Sequence, residues 1–239
     1  MTTPALSVAI PARDEEKLIA RCIESINASA RHCQRAVEVV VALNRCTDRT
    51  RDIAESLGAR CVVEDRKCIA AVRNAAVKAS RAPVVATLDA DSWMTLRTVD
   101  AILTHACDPR YVGGGTVLRP ERMSIGIFFS LLAIVPYVAR SGVSTGLFWF
   151  RREAFDMIGG FDESLVSVED VDFGLRLKAH GRLKGLRYGT IWRHGAMTSC
   201  RKFDTFGDWY LFLNPGLVKA LFGGKNRQAA DHFYYEVER

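Results

Sequence analysis

The sequence predicts an α/β fold, a mostly parallel sheet flanked by helices with a helical tail behind it. Three observations carry this. Short apolar, β-branched runs alternate with helix-period segments four times over the first ninety residues, the signature of successive strand–helix–strand units. The runs are near-continuous in hydrophobicity, as strands buried on both faces are. One of them, Val84 to Leu88, stops abruptly at Asp89-Ala90-Asp91. Two carboxylates therefore stand at a strand's carboxyl edge, where open α/β sheets bind ligands.

The elements follow in order. Leu6 to Ile10 reads as the first strand, ended by Pro11-Ala12-Arg13-Asp14-Glu15-Glu16. Leu18, Ile19, Cys22, Ile23 and Ile26 then recur at helical spacing. Asp14 is placed to cap that helix, with Glu15 and Glu16 in its electrostatically favoured first turn. Val37 to Leu43 is the second strand, ending in Asn44-Arg45-Cys46-Thr47-Asp48, and the next helix carries Ile53, Ala54 and Leu57 until Gly58 stops it. Ala59 to Glu64 is a short third strand, and an Ala-rich helix from about Ile69 to Ser80 carries Arg73 and Asn74 before the Asp89 strand. Beyond these, Glu169, Asp170 and Asp172 precede the amphipathic stretch Phe173 to Ala179, where helix-dipole stabilisation alone would favour acids. A strand-like run from Leu186 to Trp192 leads to Arg193-His194-Gly195, and then to Arg201 and Lys202 in an expected loop.

Two stretches are unusually apolar: Met123 to Val138, and the aromatic tail from Phe203 through Trp209, Phe212 and Leu221, which gives way to the polar segment Lys225 to Arg239. The run Ile125 to Ala139 is interrupted by Pro136 and is too short to span a bilayer. Buried packing, a homodimer interface, or peripheral contact with a membrane or apolar acceptor all suit such stretches.

Composition limits the function classes. At 239 residues, 49% hydrophobic and 25% charged, the chain suits a single globular domain. The formal net charge of +6 favours anionic partners, yet no nucleic-acid module is present, so nucleic acid is not an expected partner. No glycine-rich phosphate loop follows any strand, which disfavours dinucleotide and P-loop enzymes. Seven cysteines without a C-x-x-C pair fit a reduced, cytoplasmic protein, and the first residues lack the charged start and apolar stretch of a signal peptide. The inner face of the membrane is a compatible location.

Adjacent carboxylates such as Asp89 and Asp91 repel unless a cation lies between them, and Mg2+ or Mn2+ shared with phosphate oxygens is the usual solution. The pair is therefore read as a metal and nucleotide site. His194 is a candidate third ligand, and Arg201 and Lys202 are candidate phosphate clamps.

At this point a resemblance emerges. Pro11-Ala12-Arg13-Asp14-Glu15 resembles the Pro-Ala-Tyr-Asn-Glu opening of family 2 glycosyltransferases with the GT-A fold, and Asn44-Arg45-Cys46-Thr47-Asp48 resembles their Asp-Gly-Ser-Thr-Asp turn. Asp89-Ala90-Asp91 is similar to their Asp-x-Asp signature. The segment from Gly146 to Phe155, followed by Gly159-Gly160-Phe161-Asp162-Glu163, is similar to their acceptor-side segment, and Glu169-Asp170 to their Glu-Asp motif. Five motifs in order, from about Ser7 to Gly195, are more specific than any one.

The resemblance implies a single GT-A-like domain over residues 1–239, with a nucleotide-sugar-binding half (1–115) and an acceptor-binding half with the tail (116–239). It implies that Ala12, Arg13 and Glu15 line the nucleoside pocket and that Asn44 takes the place of the acid that commonly meets the base. Asn adds a donor to that acceptor, which leaves the base open. Lys67 and Arg73 become candidates for the diphosphate, Asp89 and Ala90 for the nucleotide, Asp91 with Asp89 for the metal, and Gly146 and Trp149 for the acceptor. Asp170 becomes the general base, with Glu169 beside it. A base opposite the leaving group implies single displacement with inversion, and family habit favours a UDP-sugar donor. The tail lacks the membrane helices of the family's polysaccharide synthases, so processive polymer export is not expected. The rival readings are a nucleotidyltransferase and a catalytically silent carbohydrate- or lipid-binding module of the same fold.

Overall fold

In a computed structural model of the chain, which describes residues 3–144 and 146–223, eight strands form one sheet. The first half alternates regularly: β1 (Leu6–Ala12), α1 (Ile19–Cys33), β2 (Val37–Leu43), α2 (Thr50–Ser56), β3 (Arg60–Val63), α3 (Ile69–Ala79) and β4 (Val84–Thr87). Then come β5 (Ser92–Met94), α4 (Thr98–Cys107), β6 (Tyr111–Pro120), α5 (Ile125–Ser141), β7 (Phe148–Arg151), α6 (Arg152–Ile158), α7 (Glu169–Leu183) and β8 (Arg187–Thr198). Three short helices close the described chain: α8 (Arg201–Phe206), α9 (Tyr210–Leu213) and α10 (Pro215–Phe222). The polar segment Lys225 to Arg239 lies outside the described residues.

The strand order is β3-β2-β1-β4-β7-β6-β8-β5. The β3-β2-β1-β4 half is parallel throughout, as the alternation predicts, whereas β7 runs antiparallel to both β4 and β6, and β5 antiparallel to β8. Alternation of side chains along each strand separates two apolar cores. Leu6, Val8 and Ile10 of β1 pack with Ile19, Ile23 and Ile26 of α1 and with Ile102 of α4, while Ala9, Val40 and Val85 face α3, α6 and α7. In β7 the same period sends Trp149 into the first core and Phe148 and Phe150 into the second. There Phe161 stacks on Phe173, with ring centroids 4.2 Å apart, and this aromatic layer supports the start of α7.

Strand β6 lies close to its neighbours because it carries Gly113-Gly114-Gly115: a Cβ at Gly114 would fall on the Gly189 carbonyl of β8. Helix α5 passes through Pro136 without stopping, which corrects the expected interruption. Neighbouring helices compensate such a residue: Ile134 and Tyr137 pack on Leu211, Val218 and Leu221 of α9 and α10. Its other face is open, with Ile125, Phe128, Leu132 and Val135 exposed at a three–four spacing. No helix among the described residues is long and apolar enough to cross a membrane.

Candidate active site

The chain travels outward from β1 to β2 and β3 and returns on the other side of β1 as β4, so the order reverses at β1. Crevices at such reversals, beyond the strands' carboxyl ends, are where open α/β sheets bind ligands. Here the crevice is a cavity of about 310 Å³. Ala12, Arg13 and Glu15 reach it from the end of β1, Asn44 from β2, and Asp89, Ala90 and Asp91 from β4. Gly146 and the start of α7, with Glu169 and Asp170, line the same cavity, and Arg201 and Lys202 complete the lining. Residues separated by up to 190 positions thus meet at one strand edge.

The acids after β1 do not cap α1, whose N-cap is Leu18 with no side-chain hydrogen bond. They join two turns instead. Asp14 Oδ1 accepts the Thr47 N–H at 2.7 Å, the Glu16 N–H donates to Asp48 Oδ2 at 2.9 Å, and Glu16 Oε2 accepts the Arg49 N–H at 3.1 Å. Asp14 and Arg45 adopt left-handed φ of 49° and 52°, a conformation that a short polar residue such as Asp14 tolerates in turns. Ligand-type atoms of Asp14, Cys46 and Asp48 lie within 4.8 Å of one another, but these carboxylates already serve the turn. Asn44 is equally constrained: its Nδ2 donates to the carbonyls of Glu64 at 2.5 Å and Arg66 at 2.9 Å. Both amide hydrogens are therefore spent on backbone, and Oδ1, which accepts from Arg45 Nη2 at 3.5 Å, keeps a second lone pair as an acceptor.

Two arginines hold the acids of the crevice. Arg73, buried on α3, donates Nε to Glu169 Oε1 at 3.1 Å and places Nη2 2.8 Å from Asp89 Oδ1. Burial opposes its charge, but Asp89, Glu169 and Asp170 outweigh burial and raise its pKa further. Arg201, at the start of α8, grips Glu15 with both terminal nitrogens at 2.9 and 3.0 Å and reaches Asp91 Oδ2 at 3.3 Å. Burial again opposes the charge, and Glu15 and Asp91 overcome it. The neighbouring Cys22 thiol is pushed well up by burial and then by Asp91, Asp89 and Glu15, the mark of a negative potential. Asp91 and Asp89 offer hard oxygen donors suited to a divalent cation, and a guanidinium already stands between Asp91 and Glu15. The residues present fit a divalent metal.

Asp170 is the most perturbed carboxyl. Burial pushes it up to about 7, with Glu169 adding to the effect, Arg73 opposing it, and Asp89 adding again. Its Oδ1 accepts the Val171 N–H at 2.7 Å. Val168, immediately before Glu169, has φ 54°, which is unusual for a β-branched residue. Such strain costs about 1–3 kcal/mol and persists where surrounding structure enforces it. Two anchors do so. Ser167 Oγ donates to the Leu221 carbonyl of α10 at 2.9 Å, and Asn74 holds Phe161 by accepting its N–H at 2.8 Å and donating to its carbonyl at 2.9 Å. Asn74 and Val168 were missed as supports of the site; the position of Asn74 beside Arg73 on one helix was the available signal.

Three expected site residues lie elsewhere. Trp149 is fully buried in β7, its ring packed against His105 and Tyr111 at 6.0 and 6.5 Å, so it does not face an acceptor. Its inward direction follows from strand alternation between Phe148 and Phe150. His194 does not join Asp89 and Asp91. Strand β8 runs antiparallel to β5, so its far end returns to Asp91, with the Ser199 N–H bonded to the Asp91 carbonyl at 2.9 Å. His194 sits earlier, exposed, with φ 62°, in the irregular stretch between Ile191 and Ala196. Arg201 reaches Asp91 in its place. Lys67 is exposed and outside the cavity lining.

Comparison with known proteins bears on the fold and the family. The chain is 28% identical over 200 residues to a pre-mycofactocin glycosyltransferase of Mycobacterium tuberculosis, covering 75% of this chain and 40% of that protein's length. Among solved structures, glucosyl-3-phosphoglycerate synthase from Mycobacterium tuberculosis, in complex with Mn2+, uridine diphosphate and glucosyl-3-phosphoglycerate, superimposes with a TM-score of 0.64 at 19% identity, covering 93% of this chain and 80% of the other. A mannosyltransferase from Pyrobaculum calidifontis, in complex with GDP-Man and Mn2+, gives 0.61 at 21% identity, covering 99% and 71%. Residues 7–159 match the profile of the family described as glycosyl transferase family 2. With that match spanning most of the chain and the fold shared by those neighbours, the protein belongs to glycosyl transferase family 2 and has the GT-A fold.

Proposed function

We propose that the protein moves one sugar from a nucleoside diphosphate sugar to an acceptor hydroxyl with inversion, aided by Mn2+ or Mg2+. The observation that carries this is that Asp170, with a pKa near 7, lines the same cavity as Asp89 and Asp91. Asp91, with Asp89, holds the cation, which when bound neutralises the charge growing on the leaving diphosphate. Arg13 and Glu15 border the nucleoside, and Arg73 fixes Asp89 and Glu169. The acceptor enters beside Gly146. Its oxygen attacks the anomeric carbon, the bond from that carbon to the phosphate oxygen breaks, and the hydroxyl proton passes to the Asp170 carboxylate. Glu169, held by Arg73, keeps that carboxyl in place.

UDP-sugar is the favoured donor. Asn44 Oδ1 is left as an acceptor for a base with a ring N–H, which uracil and guanine carry and cytosine and adenine do not. The reading places the protein in the cytoplasm. The open face of α5 is its surface for an acidic membrane or a second copy, which vesicle cosedimentation and light scattering separate.

Thermal unfolding with a panel of nucleoside diphosphates, with and without Mn2+ or Mg2+, tests the reading, because a ligand that binds the folded state raises the midpoint by mass action. The expected result is a shift that needs both UDP or GDP and the metal, is lost in Asp91→Ala and is kept in Asp170→Asn. No shift with any nucleotide would favour the silent binding module.

A further inference from the structure

The Arg201 guanidinium lies between Glu15 and Asp91. Its fork closes on both oxygens of Glu15, at 2.9 and 3.0 Å, and one nitrogen also lies 3.3 Å from Asp91 Oδ2. The Glu15 side chain is only 7% exposed and that of Asp91 17%. Carboxylates so enclosed need a counter-charge, since an unpaired buried charge is strongly destabilising. Arg201 supplies it across the cleft, from the end of β1 to the end of β4. Its Nε, also buried, has no partner among the described residues, so the pairing is carried by the terminal nitrogens.

A divalent ion on Asp91 and a guanidinium on the same oxygen exclude each other by like-charge repulsion. We propose that Arg201 is an exchangeable internal cation: it neutralises Glu15 and Asp91 in the empty site, yields Asp91 to a divalent ion arriving with a nucleoside diphosphate, and turns to the diphosphate while keeping Glu15. This rests on the metal reading of Asp91 above. The exchange asks only the side chain to turn, because α8 itself stays anchored through Phe203 and Phe206, which pack with Leu211, Val218 and Leu221. The Arg201 side chain, lining the cavity, is 21% exposed, whereas that of Arg73 is 7% exposed within the core. The consequence is coupling. The nucleotide-free protein binds metal weakly, and nucleotide and metal each strengthen the other's binding, a reciprocity that thermodynamics requires.

Removing a cation beside Asp91 favours Mn2+ binding in either case, so the coupling between UDP and Mn2+ separates exchange from a purely structural ion pair. The test is an Mn2+ titration of the full chain, reading the electron paramagnetic resonance signal of the free ion, for the natural protein, Arg201→Gln and Arg201→Lys, with and without UDP. The expected result is that Arg201→Gln binds Mn2+ without nucleotide at least about fivefold more tightly, and that the enhancement of Mn2+ affinity by UDP shrinks by a comparable factor. Arg201→Lys, which keeps the charge but loses the fork, falls between the two and also reports if the Gln variant does not fold. Unchanged or weaker nucleotide-free Mn2+ binding in the variants, with coupling intact in the natural protein, overturns the exchange and leaves the metal reading standing. Absence of Mn2+ binding in the natural protein, with or without UDP or GDP, overturns both.

Discussion

Asp170→Asn tests whether the Asp170 carboxyl is held against its ionisation. Burial and Glu169 raise its pKa from 3.8 to about 7. Each tenfold change in acidity corresponds to about 1.4 kcal/mol, so holding the group ionised costs the folded protein up to about 4 kcal/mol. Because the folded pKa is raised, this cost is absent below about pH 4, grows between pH 4 and 7, and is complete above pH 7. Asparagine keeps the shape, and its Oδ1 still accepts the Val171 N–H, but it carries no charge. Thermal unfolding of both proteins in chelator, from pH 4 to 9, should show equal midpoints at the acid end. The variant should become progressively more stable towards neutrality, at about 2–4 °C per kcal/mol for a chain of this size. The same titration makes sugar transfer by the natural protein rise with pH up to about 7, as the base becomes available. A stability difference independent of pH, or a variant less stable at pH 8, would refute the reasoning.

Other outcomes follow from the same geometry. Arg73→Gln strands Glu169 in the interior and should cost about 3–5 kcal/mol in urea unfolding at neutral pH, with a smaller loss in acid, where the carboxyls protonate. Val168→Asn relieves a left-handed β-branched residue and should raise the unfolding midpoint by the equivalent of about 1 kcal/mol or more, read by calorimetry. Trp149→Phe removes a buried ring whose Nε1 has no partner among the described residues. It should lower stability by a repacking cost while leaving UDP-dependent thermal shifts unchanged, because Trp149 lies in the core.

Much of this architecture was legible in the residues. The parallel half of the sheet was read from β-branched runs alternating with helix-period segments, because a strand buried on both faces has no freedom to be polar. The placement of Asp89 and Asp91 followed from the point where one such run ends. The N-terminal position of Glu169 and Asp170 on a helix was equally visible, since acids there precede a clear amphipathic period. The antiparallel entry of β7 was not, because the short run Phe148-Trp149-Phe150-Arg151 carries no sign of direction. Trp149 was misplaced for a related reason: a large aromatic beside a glycine motif reads as a binding surface until strand alternation turns it inward. The acids Asp14, Glu15 and Glu16 suited a helix cap by spacing, but their partners come from the β2 turn and from Arg201.

The sequence alone therefore determined the fold class, the family and the strand edge where Asp89 and Asp91 stand, since each depends on local pattern and on short motifs in order. Tertiary structure decided which charges meet. Arg73 binds Asp89 and Glu169, and Arg201, rather than His194, reaches Asp91 because β8 returns to that edge only at its far end. Pairing between residues as distant in sequence as Arg73 and Glu169 or Arg201 and Asp91 depends on strand direction and register, and those are fixed by packing of the whole sheet and not by any local run of residues.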